Sequence, residues 1–578
     1  MSDRKPRVHV VTTRRQYKDR EYVTHLLRRS YREGGKVKKE TLANLTPLGT
    51  DLVNVIRAGM QGQDVGVMGE LMPPIQSRPH GHVQAVTRAM ERLGIANLLA
   101  SRSSRNRSII LALIAARILD PQSKLATTRS WNDTTVASEF GVQDVRIDQV
   151  FGAMDWLADA RSRIETKLAA RHVTDGDVVL FDLTSSYVEG ERHELAAYGH
   201  NRDRKRGKKQ INWGILADGQ GRPVALHVFP GNTADPTTLR HAVTTLQYQF
   251  HLKHFILVGD RGMITSRHVQ AFQEGDADIA WITALRAKSI QKLVSDGVLQ
   301  PSLFDETNLA EVTSPHFPGE RLIACRNPVL ARERAHHRNA LLDATCSKLD
   351  AVKTSIANGR LRSAQAIALR VGAILEKFKM RKHVQLTIED DHLAYSVDMD
   401  SVTREAATDG LYVVRSNVPD HQKDARELVR TYKDLAHIEQ AYRSIKTVDL
   451  HVRPIHHRTA NRTEAHLFIC MLAHYVTWHM KNAWAPLTFQ DEHPEARDQA
   501  DPVQPATRSP GALNKASSRT TNLGTPTHSF QTLLKSLSTI VKNTHQDPSS
   551  NTNFHLTTIP NDQQRYALDL LETITIQT

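Results

Sequence analysis

Between residues 177 and 284, strand-like and helix-like segments follow one another in a single order, and few topologies accommodate it. Asp177–Tyr187 reads as a strand, Gln210–Ala217 as a second and Pro223–Phe229 as a third, with Asp218-Gly219-Gln220-Gly221 closing a hairpin between the last two. Asp235-Pro236 then starts a helix, with Asp235 as the N-cap and Pro236 at the first helical position. His254–Asp260 is a fourth strand, Ser266–Glu274 a helix and Ala277–Ala284 a fifth strand. The order is β-β-β-α-β-α-β.

That is the order of an RNase H-like core, an α/β fold with a mixed sheet in which the first and fourth strands are neighbours. Asp182 in VVLFDLTSSY and Asp260 in FILVGDRGM therefore meet at one edge of the sheet, at the ends of apolar runs where folding alone favours Val or Leu. Taken singly, each Asp is most simply a turn residue at a strand end. A third acid changes the balance. From Asp424 to Lys446, spacings of four and three place Leu428, Tyr432, Leu435, Glu439, Tyr442 and Lys446 on one helix face. An i,i+4 ion pair of Glu439 with Arg443 is the plain alternative, worth ~0.3–0.5 kcal/mol when exposed. Three converging carboxylates instead suit two hard divalent ions, Mg²⁺ or Mn²⁺, better than zinc.

Charge narrows the partner. Across 578 residues, 76 Lys and Arg stand against 62 Asp and Glu, which favours a polyanion. Residues 1–50 hold 13 Lys and Arg and only 5 Asp and Glu, in strand-like YVTHLLRRSY and KVKKETLANL around a turn at Glu33-Gly34-Gly35-Lys36. This basic hairpin is either a DNA grip or a solvated surface. A second basic run, His200 to Lys209, carries Arg204, Lys205, Arg206, Lys208 and Lys209 close to Asp182, and Arg261 adjoins Asp260. The three cysteines, Cys325, Cys346 and Cys470, form no CxxC pair, so a disulfide framework and a cysteine zinc site are both disfavoured. MSDRKPRVHV lacks an apolar signal core and Ile109–Ala116 is too short to cross a bilayer, which predicts a cytoplasmic protein without a membrane partner.

The segment Tyr432, Glu439, Lys446 resembles the Tyr-x2-Arg-x3-Glu-x6-Lys signature of DDE transposases from bacterial insertion sequences, specifically the group like insertion sequence four. FDLTSSY, PGNTADPTTL, VGDRGMIT and DLHVRPIHHRTANRTEAHLFI also resemble that group, over roughly residues 175–480. Leu435 stands where the signature has Arg, and Arg430 or Arg443 is the available substitute. The resemblance implies that Asp182, Asp260 and Glu439 are catalytic and bind two metal ions, and that Tyr432 and Lys446 contact DNA, with Arg443 as a further candidate contact. It further implies double-stranded element ends and target DNA as partners, with a homodimer bringing two ends together. An RNase H-like nuclease that cuts without joining, and a DNA-binding protein that no longer catalyses, are the alternatives.

The expected organisation is a basic β-rich module over 1–80, a helical region over 81–172, and a core split into 173–285 and 416–485 around an α/β insertion at 286–415. Helices over Leu330–Ala357 and Leu361–Phe378 and the strands HVQLTIED, HLAYSVDMD and GLYVVRSN belong to that insertion. Residues 486–555, rich in Ser, Thr, Pro, Asn, Gln and His, are expected to be largely disordered, and 556–578 to end in a helix over Asp562–Ile574. His336-His337 and His456-His457 lack zinc spacing and are expected to face solvent or phosphate.

Overall fold

The computed structural model describes residues 7–17, 20–33, 36–62, 74–203, 205–274, 278–304, 307–494, 501–505, 507–546 and 552–576. They fall into two units, Met1–Gly81 with Ser538–Pro560, and His82–Leu537 with Asn561–Thr578.

In the first unit, β1 (Arg7–Tyr17), β2 (Arg20–Glu33) and β3 (Lys36–Asn44) form an antiparallel sheet in that order. Glu33 pairs with Lys36, so the turn falls where expected, though Gly34 and Gly35 lie outside the described residues. The helix Gly49–Met60 covers one face, where the Arg57 guanidinium donates to Thr12 Oγ1 at 2.8 Å. A second small sheet joins β4 (Pro74–Pro79) to Val541–Gln546 and Asn553–Thr557.

The second unit is built on eight strands: β5 (Val178–Tyr187), β6 (Gln210–Asp218), β7 (Pro223–Pro230), β8 (His254–Gly259), β9 (Asp278–Ala284), β10 (Leu309–Val312), β11 (Arg321–Arg326) and, beyond a separate hairpin of β12 (Val384–Glu389) and β13 (His392–Val397), β14 (Leu411–Ser416). Their order is β10-β11-β14-β9-β8-β5-β6-β7, with β5 parallel to β8, β8 parallel to β9, and every other neighbour antiparallel. The half from β7 to β9 is the RNase H-like core. The insertion extends this sheet, because β14 pairs along β9 and covers what would otherwise be an open edge. Its helices Pro328–Ala357 and Ala364–Phe378 pack against the β12–β13 hairpin through Leu349, Val352, Ile367 and Val371.

Helix α1 (Ile147–Ala169) precedes the sheet, and α2 (Asp235–Thr244) follows β7. The N-cap of α2 is Ala234, which corrects the expectation for Asp235. Asp235 instead accepts two hydrogen bonds from Arg202, at 2.6 and 2.7 Å, and a charged pair outcompetes a neutral amide for that carboxylate. The expected helix from Asp424 to Lys446 is broken at Asp434 into α3 (Ala425–Lys433) and α4 (Leu435–Arg443), followed by a π-helical turn, Ser444–Val448. Asp424 and Glu427 cap α3 reciprocally, each side chain accepting from the other's backbone N–H. Helix α5 (Ala460–Ala483) is apolar on nearly every side and buried. Among the described residues no helix is long and apolar enough to cross a membrane.

Within 486–555, where the composition predicts disorder, the described residues include helices at Pro510–Ser518 and Phe530–Leu537. Phe530, Leu533, Leu534 and Leu537 recur at helical spacing and are all buried, so a narrow apolar stripe suffices within a polar stretch. The terminal helix Asp562–Leu570 is present, and its Ala567 carbonyl accepts from Trp484 Nε1 at 2.8 Å. His457 does not face open solvent: its ring lies 5.2 Å from that of His466, and burial pushes its pKa down to about 3.

Gly214 lies opposite Leu183 in the β5–β6 pairing. A Cβ there would sit 2.8 Å from the ring of Phe181, which is fully buried, and 3.0 Å from the Asp182 carbonyl. Gly214→Ala is expected to cost about 1–3 kcal/mol by overpacking. Chemical denaturation of the two proteins should show the lower midpoint for the variant.

Candidate active site

Parallel pairing brings the two aspartates level. Phe181 of β5 is in register with Gly259 of β8, so Asp182 and Asp260 are the next residues along two adjacent strands. Asp182 is partly buried, whereas Asp260 is exposed just beyond the end of β8. Gly262, at φ +85°, turns the chain away from Asp260, and its carbonyl accepts from Arg286 at 3.3 Å.

Tyr442 ties the helix that carries Glu439 to β5 and β6. Its hydroxyl donates to the Asp182 carbonyl and accepts from the Ile215 N–H at 3.2 Å, and its ring meets Trp213 edge-on at 5.1 Å. The β6–β7 hairpin supports α4 from below, since His437 Nδ1 lies 3.3 Å from the Gly219 carbonyl. Glu439, three residues before Tyr442, is exposed, which corrects its placement on a buried face; Leu428, Leu435 and Tyr442 are the buried members of that row. Among the described residues no ion pair joins Glu439 to Arg443, and Arg443 is exposed.

Loss of water pushes the Asp182 carboxyl up to about 7. The Leu183 N–H opposes this, the charge of Asp260 adds to it, Arg202 opposes it, and the charge of Glu439 adds again. Both other acids therefore lie close enough to act on Asp182. Among the described residues, no group of three or more His, Cys, Asp or Glu side chains is gathered as a finished metal cage. The donor set nevertheless fits a divalent cation: its donors are hard carboxylate oxygens, and Asp182 carries a like-charge and desolvation cost that a cation would relieve.

The predicted DNA-contacting residues are not equally open. Lys446 Nζ pairs with Asp203 at 2.6 Å and donates to Thr184 Oγ1 at 3.0 Å. Asp203 also receives Arg453 and the Tyr187 N–H, so the single acid in the basic run ties that loop to the core. Tyr432 is turned inward, its hydroxyl donating to Asp260 Oδ1 at 3.4 Å. Lys208 pairs with Glu189 at 2.7 Å, while Lys205 and Lys209 lie 5.8 and 6.0 Å from the ring centroids of Tyr187 and Tyr198. Arg206 and Arg261 are exposed, and Arg204 lies outside the described residues. Beside Asp260, a cavity of about 270 Å³ is lined by Arg261, Arg334, Lys433, Tyr412 and Tyr432, among others. The roles of Asp203 and Tyr442 escape a sequence reading, although a lone acid among six cations is a signal for the first.

The family model for the transposase DDE domain matches residues 174–476, more than half of the chain, and the chain belongs to that family. The model for the N-terminal domain of IS1634 family transposases matches residues 10–62, which makes the chain an insertion-sequence transposase. No curated protein matches. Among solved structures, a piggyBac transposase synaptic complex with hairpin DNA is similar at a TM-score of 0.34 and 8% identity, over 79% of this chain and 77% of that one. The likeness is loose, and the family assignment stands without it.

Because the folded-state pKa of Asp182 lies above its unfolded value near 3.8, the stability linked to this group is full below about pH 4 and lost as the pH rises toward 7. In metal-free buffer, Asp182→Asn is therefore expected to be more stable than wild type at pH 8, by on the order of a few kcal/mol, and equal to it near pH 4. Denaturant titration at the two pH values reads this directly.

Proposed function

We propose that the chain cuts DNA at the ends of its element and joins the freed 3′ ends to target DNA, with Asp182, Asp260 and Glu439 as the catalytic carboxylates. What supports this most is the level register of Asp182 and Asp260 on neighbouring parallel strands, with α4 latched over them by Tyr442. Glu439, exposed on α4, contributes to the charge felt by Asp182. Two Mg²⁺ or Mn²⁺ ions held by these three side chains would supply charge neutralisation and activation of the attacking and leaving oxygens.

The chain's own groups then have distinct tasks. The Tyr432 hydroxyl fixes the orientation of Asp260, and Arg261 beside it meets the phosphate backbone. Lys205, Arg206, Lys208 and Lys209, in the loop that Asp203 ties to the core, are the further phosphate contacts, and Arg443 is exposed on α4. Lys446 reaches a phosphate only by exchanging it for Asp203, so its contact with DNA competes with an internal ion pair. A water and then a DNA 3′-hydroxyl is the nucleophile, and no covalent bond to the protein forms. Tyr187 and Tyr442 are packing residues in this scheme. Two element ends must be held together for joining, which a homodimer achieves, and the reaction belongs to the cytoplasm, where the DNA is.

Asp182→Asn, Asp260→Asn and Glu439→Gln are each expected to lower cutting of end-bearing duplex in Mg²⁺ by several orders of magnitude while leaving DNA binding within a few-fold of wild type. Unchanged cutting in any one removes that residue from the site. Products that are cut but never joined to a supplied target would favour the nuclease alternative.

A further inference from the structure

Alternation along the N-terminal sheet sorts its charges by face. Successive residues of a strand point to opposite faces, and directly paired residues share one. Thr12 pairs with His25, and Arg57 of the helix Gly49–Met60 reaches Thr12, so theirs is the covered face. Arg29 and Glu40 pair on that face and meet at 2.6 Å. By register, Glu21 and Glu33 hold positions on the same side, so every acidic position of β2 and β3 belongs to the helix side.

The opposite face has a different character. Its register positions include Arg15, paired with Tyr22; Arg28, paired with His9 and Thr41; Lys39, paired with Ser30; and Arg32, paired with Val37. Arg15, Arg32 and Lys39 are exposed, and Arg28 Nε donates to Thr41 Oγ1 at 3.3 Å. In the sequence RRSYRE–GGKVKKE, acids and bases are interleaved, and only the period-two geometry separates them. Four cations on one face of a three-stranded sheet, with no acid between them, repel one another and cost folding energy.

We infer that this open face of β1–β3 is a duplex-DNA contact surface that grips phosphates through Arg15, Arg28, Arg32 and Lys39. Arg28 and Arg32 are four residues apart on one strand, about 13 Å at ~3.3 Å per residue, close to the ~12 Å width of a major groove. The contacts are to phosphate, so the surface anchors duplex without choosing its sequence. The inference deepens the transposase reading by naming a second place where the chain holds DNA.

The test uses the full chain carrying Asp182→Asn, without added divalent metal, and a duplex oligonucleotide titrated over a range of salt. Replacing Arg15, Arg28, Arg32 and Lys39 together by Gln is expected to lower the slope of log affinity against log salt by about 3 to 4, since each phosphate contact contributes ~0.9. A second variant, with Arg14, Arg29, Lys36 and Lys38 replaced by Gln, removes equal charge from the helix side and is expected to change the slope by less than about 1. Arg→Lys replacements at 15, 28 and 32 keep the charge and are expected to retain the slope, which separates a lost contact from a misfolded sheet. An unchanged slope in the first variant, or equal losses in the two Gln variants, overturns the inference. Because the background does not depend on cutting, neither outcome bears on the catalytic assignment.

Discussion

Four consecutive pairings between β5 and β8, from Val178 with Ile256 to Phe181 with Gly259, set where everything at the site can be. A slip of one residue would turn Asp182 toward the opposite face of the sheet and exchange it with Phe181, which is fully buried. The apolar residues on either side of Asp182 therefore hold the register, and the register holds the carboxylate. Gly214 contributes by leaving room for the Phe181 ring. The position of Asp182 is thus a consequence of core packing, and Asp260 follows where β8 ends and the backbone turns to solvent.

Gathering carboxylates works against folding, and the surrounding structure shows how the cost is contained. Arg202 stabilises the ionised form of Asp182 while its guanidinium is held by Asp235. Asp260 and Glu439 remain exposed, so only Asp182 bears heavy desolvation. Lys446 is kept in place by Asp203 and Thr184, which fixes a cation near β5 before any DNA arrives. Under the proposed function, an arrangement of this kind would gain from a divalent cation and a phosphate backbone.

Much of this was legible in the sequence, for identifiable reasons. Strands β5 to β9 announce themselves by apolar runs bounded by Gly and Asp, and the hairpin between β6 and β7 by its DGQG turn. Asp182, Asp260 and Glu439 were visible as acids in patterned surroundings. What the sequence hides is long-range pairing: β14 joins the insertion to the central sheet along β9, more than a hundred residues away in the chain, and such a pairing leaves no local trace. The break at Asp434 was masked by an unbroken helical period, and Glu439 looked buried because its row contains Leu428, Leu435 and Tyr442. Polar composition likewise concealed the stripe of Phe530, Leu533, Leu534 and Leu537. Partners of charged groups were the least legible: nothing local couples Asp203 to Lys446 or Arg202 to Asp235.

The most direct measurement is anomalous scattering from crystals of the chain grown with end DNA and Mn²⁺. The account predicts two peaks ~3.5–4 Å apart, bounded by the carboxyl groups of Asp182, Asp260 and Glu439. Mn²⁺ bound elsewhere, with the sheet intact and the Glu439 side chain directed away from both aspartates, would contradict it.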